Sequence, residues 1–118
     1  MNQTIASGSA LGNPTSSTLK MAGELDLAAA PLLQEELEAL FTLGATSIVA
    51  DLLDATFLDS TALGVLVNAF NRCQELGGRL HLIVTEPQIL RVLDITGLST
   101  VFSIHSSSDE LASDKENR

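Results

Sequence analysis

Between Gly23 and Gly44 the apolar side chains fall three and four residues apart. Leu33, Leu37, Leu40 and Phe41 share one stripe, with Glu35, Glu36 and Glu38 mostly off it, so the spacing predicts an amphipathic helix. Pro31 is tolerated only in a first turn, which puts the helix start near Ala29, and Gly44 is a natural stop. The period then changes. "TSIVADLL" is short and β-branched and reads as a buried strand, followed by "LDATFLD" as a connecting loop. A second helix is predicted from about Ser60, with Leu63, Leu66, Val67 and Phe70 on its apolar face and Gly77-Gly78 at its end. "RLHLIV" is the next strand, in which His81 alternates with Leu80 and Leu82 and takes the exposed face. Pro87 opens a short third helix that turns Ile89, Leu90, Val92 and Leu93 inward and stops at Gly97. "TVFSIH" is a last strand, and "SSSDEL" caps a final short helix.

Before all of these, "TIASGSALGNPTSSTLKMAG" has apolar stretches on either side of a Gly-Asn-Pro turn signal. It predicts an N-terminal β-hairpin with antiparallel strands near residues 4–10 and 17–22. The order β-β-α-β-α-β-α-β-α implies an α/β fold with a mostly parallel, mixed sheet of about five strands and about four helices. Residues 1–111 form one domain, and 112–118 a polar, frayed tail. In such sheets functional groups gather at the strands' C-terminal ends. The loop 53–60 and the "TEP" loop after Val84 both lie at such ends.

The 118 residues are enough for one domain with a sizeable core, and 45% are hydrophobic, which excludes disorder as the default. With no Trp or Tyr and four Phe, that core has to be aliphatic. The net charge of −9 disfavours nucleic acid and anionic membrane surfaces as partners. From residue 21 to residue 71 there is no Lys, Arg or His, so a partner docking on that stretch should bring positive charge or hydrogen-bond donors. One cysteine, Cys73, allows no internal disulfide and no cysteine metal cluster. No apolar run spans a bilayer and the N-terminus is not a secretory signal, which makes the cytoplasm the simplest location.

Asp51, Asp54 and Asp59 could converge as acid–base groups or Mg²⁺ ligands, but spacing alone favours a solvated acidic loop and a helix cap. A serine nucleophile at Ser60 would need a nearby base, and neither His81 nor His105 is placed for one; "LDSTALG" is not a G-x-S-x-G elbow. No Walker A or dinucleotide fingerprint is present, so no cofactor and no metal is expected. Ser60 reads first as a helix N-cap. A capping position is also compatible with a phosphoacceptor. The helix dipole would favour a phosphoryl group there, and two further negative charges beside Asp59 would alter the surface for a partner.

"GELD" (23–26), "FLDSTALGVLV" (57–67), "GG" (77–78), Pro87 and "RVLDITGLSTVF" (91–102) occur in the order found in STAS domains, the fold of bacterial anti-sigma-factor antagonists. The chain resembles that family over nearly its whole length. The resemblance implies a STAS-like fold and a non-enzymatic switch in sigma-factor-dependent transcription. The unphosphorylated protein would bind an anti-sigma factor that is also a serine kinase, and phosphorylation would end that binding until a phosphatase resets it. On this chain the acceptor would be Ser60, preceded by Asp59, with Thr61 as second choice. Ala62 stands where many relatives have Gly. Partner contacts would fall on Asp26, Asp59, Thr61, Leu63 and Val65. Val65 is the one expected to be exposed, because Leu63, Val65 and Val67 cannot all face inward. Asp26 either caps the following segment or contacts the kinase.

Two other functions fit parts of the chain. STAS domains also serve as subunits of transport complexes. "IVADLLDATFLDS" superficially suits a receiver-like domain phosphorylated on aspartate, although such chemistry wants an early acidic pair and a late lysine, and Lys115 lies in the polar tail.

Overall fold

Parallel strands need a long crossover, and the first predicted helix supplies one. In the computed structural model, which describes residues 16–109, β1 (Ser16–Leu25) lies parallel to β2 (Ser47–Leu58), with α1 (Ala30–Thr42) between them in sequence. α2 (Ser60–Glu75) leads to β3 (Leu80–Ile83). α3 (Pro87–Ile95) and a short 3-10 turn (Leu98–Thr100) lead to β4 (Ser103–His105). The four strands lie side by side in chain order, and every pair is parallel. Among the described strands the order never reverses, so they form no switch-point crevice of the kind doubly wound folds use for ligands. The sheet's chemistry is left to the corners where strands end and helices begin.

Among the described residues there are four strands and three α-helices, rather than about five and four. The first hairpin strand expected at residues 4–10 lies outside the described residues, as does everything after residue 109 in the segment expected as a final helix. The second hairpin strand is β1, and its described partner is β2, in parallel.

One face of the sheet carries the main core. Leu19, Met21 and Leu25 of β1, Ile48, Ala50 and Leu52 of β2, and Leu80 and Leu82 of β3 meet Leu33, Leu37 and Phe41 of α1, Leu66 and Cys73 of α2, and Ile89 and Leu93 of α3. Arg72 of α2 ties the helix layer together. Its guanidinium donates to Glu38 of α1 at 3.2 Å and lies 4.5 Å above the Phe41 ring. Leu90, expected inside, is exposed at 37%.

His81 does alternate with its leucines, but its face is not exposed. His81 and His105 are both 8% exposed, with Nδ1 of the first 3.1 Å from Nε2 of the second, and Val49 and Ile83 are buried on the same side. Parallel sheets are generally covered on both faces, so alternation in β3 separates two buried sides.

The segment expected as a loop, residues 53–59, is strand up to Leu58. Its Asp and Ala residues, both depleted in strands, hide it from a propensity reading. The ladder with β1 survives because β2 bulges twice. Lys20 pairs with Asp51 and Ala22 with Asp54, and then Gly23 pairs with Ala55 and Glu24 with Phe57. Each step gives β2 one residue more than β1. Lys20 lies 3.6 Å from Asp51 and 3.8 Å from Asp54, across the first bulge. Gly23, with φ +82°, sits at the second bulge rather than in a turn. Together the bulges bring Leu58 opposite Leu25, so the two strands finish level.

Gly78 closes the other end of the sheet. A Cβ there would overlap the backbone carbonyl of Thr46, and the neighbouring Arg79 N–H donates to Ser47 Oγ at 2.9 Å. Gly78→Ala should therefore lower stability by about 2 kcal/mol or more, read as a shift in urea midpoint at constant slope.

Cys73 gives a second stability prediction. Burial pushes its thiol up from 9.0 to about 11, against the opposing pull of the Ile48 backbone and the Arg72 charge. The folded chain keeps its proton where the unfolded chain loses it. Stability should fall as pH rises from about 9 to about 11, by up to about 1.4 kcal/mol per pH unit. Cys73→Ala should lack that component of the decline in urea titrations across the same window.

Candidate functional site

Where β1 and β2 finish level, each is followed at once by an aspartate: Leu25-Asp26 and Leu58-Asp59. Neighbouring strands are about 4.8 Å apart, so the two residues share one edge of the sheet. The Asp59 N–H extends the ladder by one bond, donating to the Leu25 carbonyl at 3.1 Å.

Both aspartates then turn the chain in the same way. Asp59 Oδ1 accepts from the N–H groups of Thr61 and Ala62 at 2.9 and 3.1 Å, and its carbonyl accepts from Leu63. Asp26 Oδ1 accepts from the N–H groups of Ala28 and Ala29, each at 3.1 Å, and its carbonyl accepts from Ala29 and Ala30. Asp26 thus caps the turn that leads into α1, where Ala29 itself offers no capping side chain. The same device begins both helices: a carboxylate pulls the first N–H groups of the turn inward.

The expectation that Ser60 is the N-cap is corrected. Asp59, with extended backbone, is the cap, and Ser60 is the first residue of α2. A carboxylate caps as well as a hydroxyl does, and the bond geometry belongs to the last non-helical residue. Ser60 is exposed, and so is Thr61. The Thr61 and Ala62 N–H groups are already held by Asp59, so a phosphoryl group on Ser60 would meet a carboxylate in possession of those donors.

Val65, the expected exposed apolar contact, is buried. It is 9% exposed and Leu63 7%, both facing the core. A helix that packs on a sheet and on a neighbouring helix hides a wider arc than one stripe, and α2 does both. Ser60, Thr61, Gly64 and Asn68 form its solvent side, which is small and polar, while Val67 is half-buried against the core. Exposed apolar surface beside the aspartates comes from Leu27, which is 70% exposed.

Gln88 is not legible in the sequence. From the first turn of α3 its Oε1 accepts from the Leu58 N–H at 3.1 Å, and its Nε2 donates to the Leu58 carbonyl at 3.3 Å. Glu86 caps that helix, accepting from the Gln88 N–H at 3.3 Å. A partner 30 residues away in sequence leaves no local pattern.

The three aspartates weighed as metal ligands do not converge. Asp51 and Asp54 share Lys20 along the strand, whereas Asp59 caps α2. Among the described residues no group of three or more His, Cys, Asp or Glu is placed to hold a metal ion. Among them, too, no helix is long and apolar enough to cross a membrane.

The chain is similar to known proteins. The STAS domain family model matches residues 9–111. An anti-sigma-B factor antagonist of Bacillus subtilis is 37% identical over 91 residues, covering 77% of this chain and 83% of that protein. An anti-sigma factor antagonist from Mycobacterium paratuberculosis shares the fold with a TM-score of 0.77 at 23% identity, covering 91% of this chain and 92% of that one. The Bacillus cell fate determinant SpoIIAA in its phosphorylated form shares it with a TM-score of 0.67 at 18% identity, covering 90% and 97%.

The capping geometry can be checked without any partner. Asp59→Ala should lower stability by about 1 kcal/mol, whereas Asp59→Asn, which keeps the accepting oxygen, should stay within a few tenths. Equal losses in chemical denaturation would show that charge rather than capping holds the corner.

Proposed function

The chain belongs to the STAS domain family, and we propose that it is an anti-sigma-factor antagonist whose grip on its partner is switched at Ser60. The observation that carries this reading is an exposed serine hydroxyl on the first turn of α2, directly after a capping aspartate, in a chain 37% identical to an anti-sigma-B factor antagonist.

In the unmodified state the docking surface is the polar outer side of α2, flanked by Asp26, Asp59 and Leu27. The partner is an anti-sigma factor with serine kinase activity, which brings its own ATP and Mg²⁺. Ser60 Oγ attacks the γ-phosphorus of ATP. The O–P ester bond forms as the β–γ bridging P–O bond breaks, ADP leaves, and the hydroxyl proton passes to a base on the kinase. This chain is the substrate of that step and catalyses nothing itself.

The product is a phosphoserine of up to about two negative charges beside Asp59 and Asp26. Residues 21–71 contain no Lys, Arg or His to offset it, and Asp59 already occupies the N–H groups of Thr61 and Ala62. The charge therefore projects toward the partner. Like charges and the desolvation of a phosphate at an interface cost several kcal/mol, enough to release a complex. A phosphatase acting on the phosphoserine restores the uncharged surface. Thr61, one residue on and also exposed, is the second candidate acceptor.

Mixed with the serine-kinase anti-sigma factor of its own host and ATP, the protein should gain one phosphate, placed on Ser60 by mass spectrometry. Ser60→Ala should stay bound in the presence of ATP. Ser60→Asp should bind at least roughly tenfold more weakly, about 1.4 kcal/mol. Phosphate on Thr61 alone would move the switch by one residue. Unchanged binding after stoichiometric phosphorylation would defeat the reading, and co-purification with a transport complex instead of a kinase would favour a transport subunit.

A further inference from the structure

The pairing of Gln88 with Leu58 is a side chain imitating a strand. Register pairs β2 with β3 only from Ile48–Leu80 to Asp51–Ile83, so the later part of β2 outruns its neighbour. In a parallel ladder the backbone groups of successive residues point to alternate sides. Asp59 sends its N–H to β1, and Leu58 sends both its N–H and its carbonyl to the side that β3 has left. There the Gln88 amide receives both, at 3.1 and 3.3 Å, with one acceptor and one donor, the pair of bonds that a residue of an antiparallel strand would offer.

Leu58 is fully buried and its polar groups would otherwise be costly. The pair does more than satisfy them. Leu58 is the last strand residue before Asp59 and Ser60, and it is held between two fixed points: the Leu25 carbonyl that binds the next N–H on one side, and α3 on the other. α3 is anchored in the core through Ile89 and Leu93, and the Glu86 cap fixes its first turn. We infer that Gln88 is a positioning residue for phosphoryl transfer to Ser60: its amide clamps Leu58 and so fixes the corner from which the Ser60 hydroxyl is presented. This inference rests on the assignment of Ser60 as acceptor. A displacement of about 1 Å in a reacting group can cost up to roughly a hundredfold in rate. Loosening the corner therefore acts on turnover, while the surface that the kinase grips stays in place.

The test compares wild type, Gln88→Ala and Gln88→Glu as substrates of the host's serine-kinase anti-sigma factor, alongside amide hydrogen exchange at Leu58. Gln88→Ala should lower kcat about tenfold with KM within twofold, and should speed Leu58 exchange while the Ile48 and Leu82 amides keep their protection. Gln88→Glu supplies the control for folding. As a carboxylate it opposes the Leu58 carbonyl, but as a carboxylic acid it both donates and accepts, as glutamine does. Its kcat relative to wild type should be low at pH 8 and recover toward pH 5.5, with the carboxylates of Glu86, which caps the same turn, and of Asp59, next to Leu58, raising the pH at which it protonates. A folded Gln88→Ala with wild-type kcat overturns the inference. If Gln88→Ala does not fold, a Gln88→Glu ratio that is flat with pH overturns it. A wild type that takes no phosphate at Ser60 defeats the functional assignment instead, and unchanged Leu58 exchange in either variant would then still refute the clamp.

Discussion

The ladder between β1 and β2 at Leu25 and Leu58 is the constraint on which the corner depends. Two bulges in β2 absorb the mismatch between the strands, so that both stop at the same level and both are followed by aspartate. Shortening β2 by either extra residue would leave Asp59 out of line with Leu25 and move the start of α2. The Asp59 N–H bond to Leu25, the Gln88 amide on Leu58 and the Asp59 carboxylate on Thr61 and Ala62 then hold the peptide groups on both sides of the corner from three directions. Each bond is modest taken alone, with a net worth of about 1 kcal/mol. Together they leave the first residue of α2 little freedom, which is what an enzyme acting on an exposed hydroxyl requires of its substrate.

Under the proposed phosphorylation of Ser60, electrostatics give the corner its direction of switching. A helix N-terminus ordinarily welcomes an anion. Here the N–H groups of Thr61 and Ala62 are already satisfied by the cap, and the neighbouring aspartate performs the same duty for the turn into α1. A phosphate arriving at Ser60 finds an occupied anion site. Its charge must be met by solvent or by the partner, and a partner fitted to an uncharged serine has no reason to supply cations at that point. The cap that organises the acceptor thus also makes its modification legible from outside.

The solvent side of α2 fits this logic. Gly64 and Asn68 follow Thr61 along it, while Leu63, Val65 and Leu66 are drawn into the core. A partner can approach the backbone closely along a face of small side chains. In such a contact an added phosphate is felt as bulk as well as charge. Leu27, on the turn that Asp26 holds, adds the apolar element next to the corner rather than on the helix.

Much of this was legible without coordinates. The helices of residues 30–42, 60–75 and 87–95 follow from apolar spacing, from Pro31 and Pro87 near two starts and from glycines at the stops, because these signals act within a few residues. The order of elements implied a parallel sheet, and the run from Phe57 to Val67 pointed to Ser60 and Asp59. Tertiary structure decided the rest. Residues 53–58 are strand because β1 lies alongside, although Asp54 and Ala55 interrupt any strand pattern of their own. His81 and Val65 are buried although one-element periodicity puts them outside: His81 meets His105 of the neighbouring strand, and Val65 joins the core between the helices and the sheet. Asp59 rather than Ser60 became the cap through backbone dihedrals that no spacing rule resolves to one residue. Gln88 holds Leu58 across 30 positions. Local sequence determines what can be formed within a turn or two, whereas contacts between distant segments exist only once the sheet has set its register.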